Sequence, residues 1–334
     1  MNDLNDLLIA KINKKREDGI CSFLNEDNSH LVLSMINGLI DRNMINTNSK
    51  QRGEVIFLEA PTGSGKDNIF LQLLAQHPEK KYIELNMDMF RKYYKYFLKD
   101  SDKLRDLEYS KKTNQFTYEI FIVLQEMLVE LFPGTNIVVS GTLRDIDWNL
   151  ELMQYYKKHD YIVKLITLTI SRKEGLFSII KRYVEAVDRK RKDASFQKGT
   201  ARYTSFNYFN DTYEKFINNF SYFTNLFFAN PGELIDVIEI YRRNNSLVDF
   251  KDNNLVYSSE IDKDNPIEVI KELRNKEYIL LNKDFNELIC LIEKNYDYLY
   301  EQDTLMDILW TLSYLNNSYN YDEENKLCLS KEKM

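Results

Sequence analysis

The stretch Glu54–Lys66, "EVIFLEAPTGSGK", decides how this chain is read. Six residues rich in Val, Ile, Phe and Leu have the pattern of a buried strand. A turn containing Gly63 and Gly65 follows, then Lys66 and the apolar periodicity of "NIFLQLLAQ" over residues 68–76. Strand, glycine turn, lysine and helix in that order make a phosphate-binding loop. The glycines let backbone amides face phosphate oxygens, and the lysine reaches the outer phosphates. Ala60 stands at the first glycine position of the strict pattern, a small change. Asp67 stands where Ser or Thr would ligate the magnesium that travels with ATP. The loop therefore predicts nucleotide binding through Ala60, Gly63, Ser64, Gly65, Lys66 and Asp67, with ATP and Mg2+ as cofactors. Asp67 is the candidate metal ligand, although its charge also adds repulsion beside a triphosphate.

On either side of the loop the pattern alternates. Strands are predicted at residues 80–86, 135–142, 161–170 and 234–243, besides the one before the loop. Between them lie helical patterns, among them "FTYEIFIVLQEMLVELF" at 116–132 and "KEGLFSIIKRYVEAVDRK" at 173–190. This order points to an α/β fold, a P-loop kinase-like parallel sheet with helices on both faces and ligands at the carboxyl ends of its strands. Residues 1–50 read as an N-terminal helical segment, 51–258 as the kinase domain and 259–334 as a C-terminal helical extension.

Composition narrows the function. The chain has 334 residues and a formal charge of -7, with 52 acidic against 45 basic side chains. That balance argues against a nucleic-acid binder, whose surface is net basic. Its 3 cysteines, Cys21, Cys290 and Cys328, are far apart and read as reduced thiols. The N-terminus is too polar for a signal peptide, and no apolar run approaches the ~20 residues that cross a bilayer. A cytoplasmic protein without membrane partners is expected.

Further candidates fall at the ends of the predicted elements. Asp88, in "IELNMDMF", follows the second strand, where a carboxylate can take the proton of an attacking hydroxyl; the plainer alternative is a helix N-cap. Thr142 and Arg144, in "SGTLRD", follow the third strand and suit phosphate or sugar oxygens. Arg182 lies in a helix, and Arg202 in the basic stretch "RKRKDASFQKGTARYTS", which reads as a lid over the transferring phosphate. A helicase-type ATPase is excluded, because its apolar strand ending in Asp-Glu is missing: the third strand ends "IVVSGT".

The order of "APTGSGK", "LNMDMF", "VVSGTLR", "SIIKRY" and "GTARYTS" over roughly residues 50 to 255 resembles the zeta toxin family, the kinase half of bacterial toxin–antitoxin pairs. The resemblance implies an ATP-dependent kinase that phosphorylates a sugar hydroxyl of UDP-N-acetylglucosamine. It also implies a small helical antitoxin as partner. It casts Lys66 as the loop lysine, Asp88 as catalytic base, and Arg182 and Arg202 as the arginines that clamp phosphate. Glu119, Ser140, Thr142 and Arg144 become substrate contacts. Ser140 stands where the family carries a glutamate. That change and Asp67 leave two alternatives to a UDP-sugar kinase: a nucleotide binder without transfer, and a kinase of another small hydroxyl substrate.

Overall fold

A computed structural model describes residues 2–42, 44–45, 52–96, 106–192, 203–243, 254–262, 264–275 and 282–317. Two helices come first, α1 (Asn2–Glu17) and α2 (His30–Asp41), and then the central strand β1 (Glu54–Glu59). Next are α3 (Lys66–Gln76), β2 (Tyr82–Leu85), the single turn α4 (Met87–Phe90), α5 (Asp106–Lys112) and α6 (Asn114–Leu131). The sequence continues through β3 (Asn136–Gly141), α7 (Ile146–Lys158), β4 (Ile162–Thr169), α8 (Arg172–Lys192) and α9 (Phe206–Ala229). It closes with β5 (Val237–Arg242), β6 (Asn254–Ser258), α10 (Pro266–Asn275), α11 (Asn282–Lys294), α12 (Tyr296–Glu301) and α13 (Leu305–Asn317).

The strands pair in the order β2-β3-β1-β4-β5-β6. The five expected strands are parallel, while β6 runs antiparallel to β5 across a register shift at Ile240/Tyr241. That sixth strand was not expected, and it makes the sheet mixed rather than purely parallel. All six residues of β1 are buried, which is why the segment reads as an unbroken apolar run rather than an alternation. Val55 and Phe57, with Ile137, Val139, Val163 and Leu165, pack beneath α6, α7 and α9. Ile56 and Leu58 pack with Ile69 and Leu73 of α3 on the other face. Helices on both faces and a central β1 carry the glycine loop out of the middle of the sheet, where strand connections diverge and a crevice forms.

The flanking helices pack on this core. Leu8, Ile12, Val32 and Ile36 of α1 and α2 join the α6 side, and Lys11 and Lys15 pair with Glu126 there. At the other end Leu288, Ile292, Ile308 and Leu312 form one apolar cluster with Leu176, Ile180, Tyr183 and Val187 of α8. Cys21 and Cys290 are free thiols, whereas Cys328 lies outside the described residues. No described helix is long and apolar enough to cross a membrane.

Candidate active site

Past Glu59 the chain bends through Ala60 to Gly65. Gly63 and Gly65 have φ of +82° and +85°, the left-handed region in which a side chain is strained. Gly63 is also a point of contact, since a Cβ there would stand 2.6 Å from the Gly175 carbonyl of α8. Arg243 straps the same junction, with its guanidinium 3.0 Å from Ser178 Oγ and 3.4 Å from the Gly63 carbonyl. Ala60 is buried in the cluster beneath α3, so the methyl that departs from the strict motif has a packing partner. Ser64 is buried too, and its hydroxyl has no hydrogen-bond partner among the described residues.

Lys66 opens α3 and borders a cavity of about 500 Å3 at the carboxyl ends of the strands. The same cavity is lined by Asp88, Ser140, Thr142 and Arg144, four other residues predicted from sequence, and by Glu59. Four aromatic side chains, Tyr118, Phe121, Trp148 and Tyr208, also line it.

Asp88 is not the helix cap. Asn86 fills that role by accepting the Asp88 N–H at 3.0 Å, a local arrangement in which Asn is favoured. The Asp88 carboxylate instead accepts from Arg91 Nε at 2.8 Å. Arg91 is itself buried and also donates to Thr113 Oγ1 and, at 2.9 Å, to Asn114 Oδ1 of α6. A guanidinium fixed at three points holds the aspartate's orientation.

The turn after β3 is held from three sides. Leu143 has φ +50°, and its N–H donates to Glu59. Asn219 of α9 donates to the carbonyls of Leu143 at 2.7 Å and Arg144 at 2.9 Å. The Arg144 guanidinium pairs with Asp211 at 3.0 Å and lies 4.9 Å from the centre of the Tyr208 ring. Ser140 donates its hydroxyl to Glu84 of β2 at 3.0 Å. Glu59 is almost fully buried, and burial pushes its carboxyl up to about 7, opposed by the Leu143 amide and the Lys66 charge.

The other expected residues lie elsewhere. Asp67 is exposed in the first turn of α3 and is not among the cavity-lining residues. Arg182 is exposed on α8, one turn beyond Ile179, whose Cγ2 would stand 2.8 Å from a Cβ at Gly63. Arg202 and most of the basic stretch lie outside the described residues. Glu119 is wholly buried and away from the cavity lining. Its oxygens accept the N–H groups of Ser22, Phe23 and Leu24 at 2.8 Å each, the Ser22 hydroxyl at 2.9 Å and the Gln115 amide at 3.1 Å. Those bonds anchor the α1–α2 connection to α6 and use the carboxylate that the family resemblance assigned to a sugar. Among the described residues, no group of three or more His, Cys, Asp or Glu side chains could hold a metal ion by itself.

Glu59, Arg91, Tyr208, Asp211 and Arg243 were not singled out in the sequence. Only Glu59 left a signal, a carboxylate closing an otherwise apolar strand directly before the loop. Tyr208, Asp211 and Arg243 act through partners far away in the chain, and Arg91, although three residues from Asp88, is fixed by Thr113 and Asn114.

Comparison with known proteins identifies the family and the fold. A family model described as Zeta toxin matches residues 39–255, more than half of the chain. No curated protein matches the sequence. Among solved structures, a chain of the PezAT chromosomal toxin–antitoxin system of Streptococcus pneumoniae is similar with a TM-score of 0.60 and 20% identity. The alignment covers 84% of this chain and 99% of that one. A chain of the AvrRxo1-ORF1:-ORF2 complex aligns at TM-score 0.51 and 12% identity, covering 87% of this chain and 89% of that one. At such identities the likeness is one of fold.

Proposed function

The chain belongs to the zeta toxin family, and from that premise we propose that it is an ATP-dependent kinase acting on a sugar hydroxyl of UDP-N-acetylglucosamine or a related UDP-sugar in the cytoplasm. The observation that carries this reading is the single cavity shared by Lys66, Asp88, Thr142 and Arg144. A binder without transfer has no use for a carboxylate held in place by a buried arginine.

In this reading the Gly63–Gly65 turn receives the polyphosphate, and Lys66 draws the outer phosphates toward the cavity. Thr142 and Arg144 hold the UDP-sugar, with Arg144 steadied by Asp211 and Tyr208. The sugar oxygen attacks the γ-phosphorus, its proton passes to Asp88, and the bond from the γ-phosphorus to the ADP oxygen breaks. Arg182 and Arg202 supply positive charge to the phosphoryl oxygens, where one such donor is worth on the order of 100- to 1,000-fold in rate. A magnesium ion would be held by the Asp67 carboxylate together with phosphate oxygens and water. It asks the protein for one or two carboxylates and keeps several waters, and the exposed carboxylate of Asp67 heads the helix that Lys66 opens. The ion neutralises phosphate charge when bound. A small antitoxin protein is the proposed partner.

The test is Mg2+-dependent ADP release from ATP, with and without UDP-N-acetylglucosamine, for the wild type, Lys66→Ala and Asp88→Asn. Sugar-dependent turnover that both substitutions abolish is the expected outcome. Asp67 lies outside the cavity lining, which favours the second reading, nucleotide binding without transfer. ATP binding without turnover on this or any other hydroxyl substrate would establish it.

A further inference from the structure

We propose that Glu59 is a positioning residue of this site: it holds the turn that presents Thr142 and Arg144, and takes up a proton as the phosphates of a bound nucleotide engage Lys66 on the rim of the same cavity. The inference rests on the proposed binding of a nucleotide at the glycine loop. Its basis is the placement of a carboxyl that neither the loop nor the phosphoryl transfer accounts for.

Glu59 ends the central strand with its side chain turned toward the cavity, on the side of the sheet covered by α6, α7 and α9. Gly141 is its register partner on β3, and a Cβ at Gly141 would stand 2.6 Å from Glu59 Oε2, so a larger residue there would require the carboxyl to move. The space beside β3 is thus kept open for this carboxyl. On the other flank its partner is Thr167 of β4, a fully buried residue whose hydroxyl has no hydrogen-bond partner among the described residues. One specific bond reaches Glu59, from the N–H of Leu143, so it steadies the turn that presents Thr142 and Arg144.

The charged groups around Glu59 set its protonation. Lys66 of α3 is the cation that acts on it. Asp88 and Arg91 from the β2–α4 side, and Arg144 and Asp145 from the turn after β3, line the same cavity. Burial disfavours the Glu59 anion, and Lys66 offsets part of that cost. When phosphate oxygens engage Lys66, this offset weakens and new negative charge arrives nearby. Both changes favour the neutral acid. A protonated Glu59 still accepts the Leu143 N–H, so the turn stays fixed as the nucleotide binds. A carboxyl pushed up to about 7 by burial is only partly ionised at neutral pH, so binding draws in a fraction of a proton there.

The test is calorimetric titration of the full chain with MgATP near neutral pH, in buffers of different ionisation enthalpy, which counts protons exchanged on binding. The wild type is expected to take up protons that Glu59→Gln, which keeps the acceptor for Leu143, does not. Equal proton counts in the two proteins would overturn the inference while leaving nucleotide binding intact. If the variant does not fold, a pH series on the wild type decides: uptake should peak near neutrality and fade below about pH 5, where the carboxyl is protonated in both states. A flat series overturns the proposal. A wild type that binds no MgATP overturns the nucleotide reading, and this inference with it.

Discussion

Two buried glutamates show how environment, not residue type, sets a carboxyl's task. Glu119 is ringed by donors and serves as an anchor. Glu59 accepts the Leu143 N–H, and burial dominates its titration. The consequence for stability has a definite sign. Its folded value of about 7 lies above the ordinary 4.5, so the folded state holds this proton more tightly than the unfolded chain does. Its contribution to stability is therefore greatest below pH 4.5 and declines as pH rises toward 7, by about 3 kcal/mol in all. Thermal melts between about pH 5 and 7.5 should accordingly show a flatter pH dependence for Glu59→Gln than for the wild type. Parallel curves would mean that the carboxyl is not held as described.

At the scale of elements, α6 is the hinge between the N-terminal helices and the sheet. One face packs on the sheet beside α7, and Glu119 on it receives the chain between α1 and α2. Glu119→Ala would strip acceptors from the backbone N–H groups of Ser22, Phe23 and Leu24 at once. The Leu24 N–H lies in a buried bond and the other two in part-buried ones; one buried unpaired donor costs about 1–3 kcal/mol, so a loss of about 1–3 kcal/mol is expected in denaturant unfolding, with early proteolysis between α1 and α2. A near-neutral substitution would mean that the connection is held mainly by the apolar contacts of Leu24 and Ile12. The same element also supplies Thr113 and Asn114, at and beside its start, to Arg91, so the helix that braces the N-terminus also helps aim Asp88.

For the whole molecule, the family match ends at residue 255, yet the apolar cluster around α8 does not. Leu176, Ile180, Tyr183 and Val187 are covered by α11 and α13, and Asp307 of α13 accepts from the Phe206 N–H at 3.0 Å and from the Tyr203 hydroxyl. These helices therefore complete a core rather than append a module. A chain ending at residue 281 would expose that face of α8, and burial of each large side chain is worth about 1.5–3 kcal/mol. Expression of residues 1–281 should give insoluble or aggregated protein. A soluble, cooperatively folding fragment would show that the extension is dispensable.

The sequence by itself determined the elements whose signals are local. The buried run of β1, the positive-φ glycines, Lys66 and the alternation of strands with amphipathic helices all express backbone and burial preferences of neighbouring residues. They were enough to set the parallel core and to bring Lys66, Asp88, Thr142 and Arg144 to one edge. What only the tertiary structure decided are the pairings across long separations: Arg91 with Asn114, Arg144 with Asp211, Arg243 with Gly63, and the burial of Glu119 against residues 22–24. The antiparallel β6 belongs with these, because an edge strand is defined by the strand it finds. A side chain's partners and burial depend on where distant segments come to rest, and a carboxylate reads the same in sequence whether it becomes an anchor, a base or a proton acceptor.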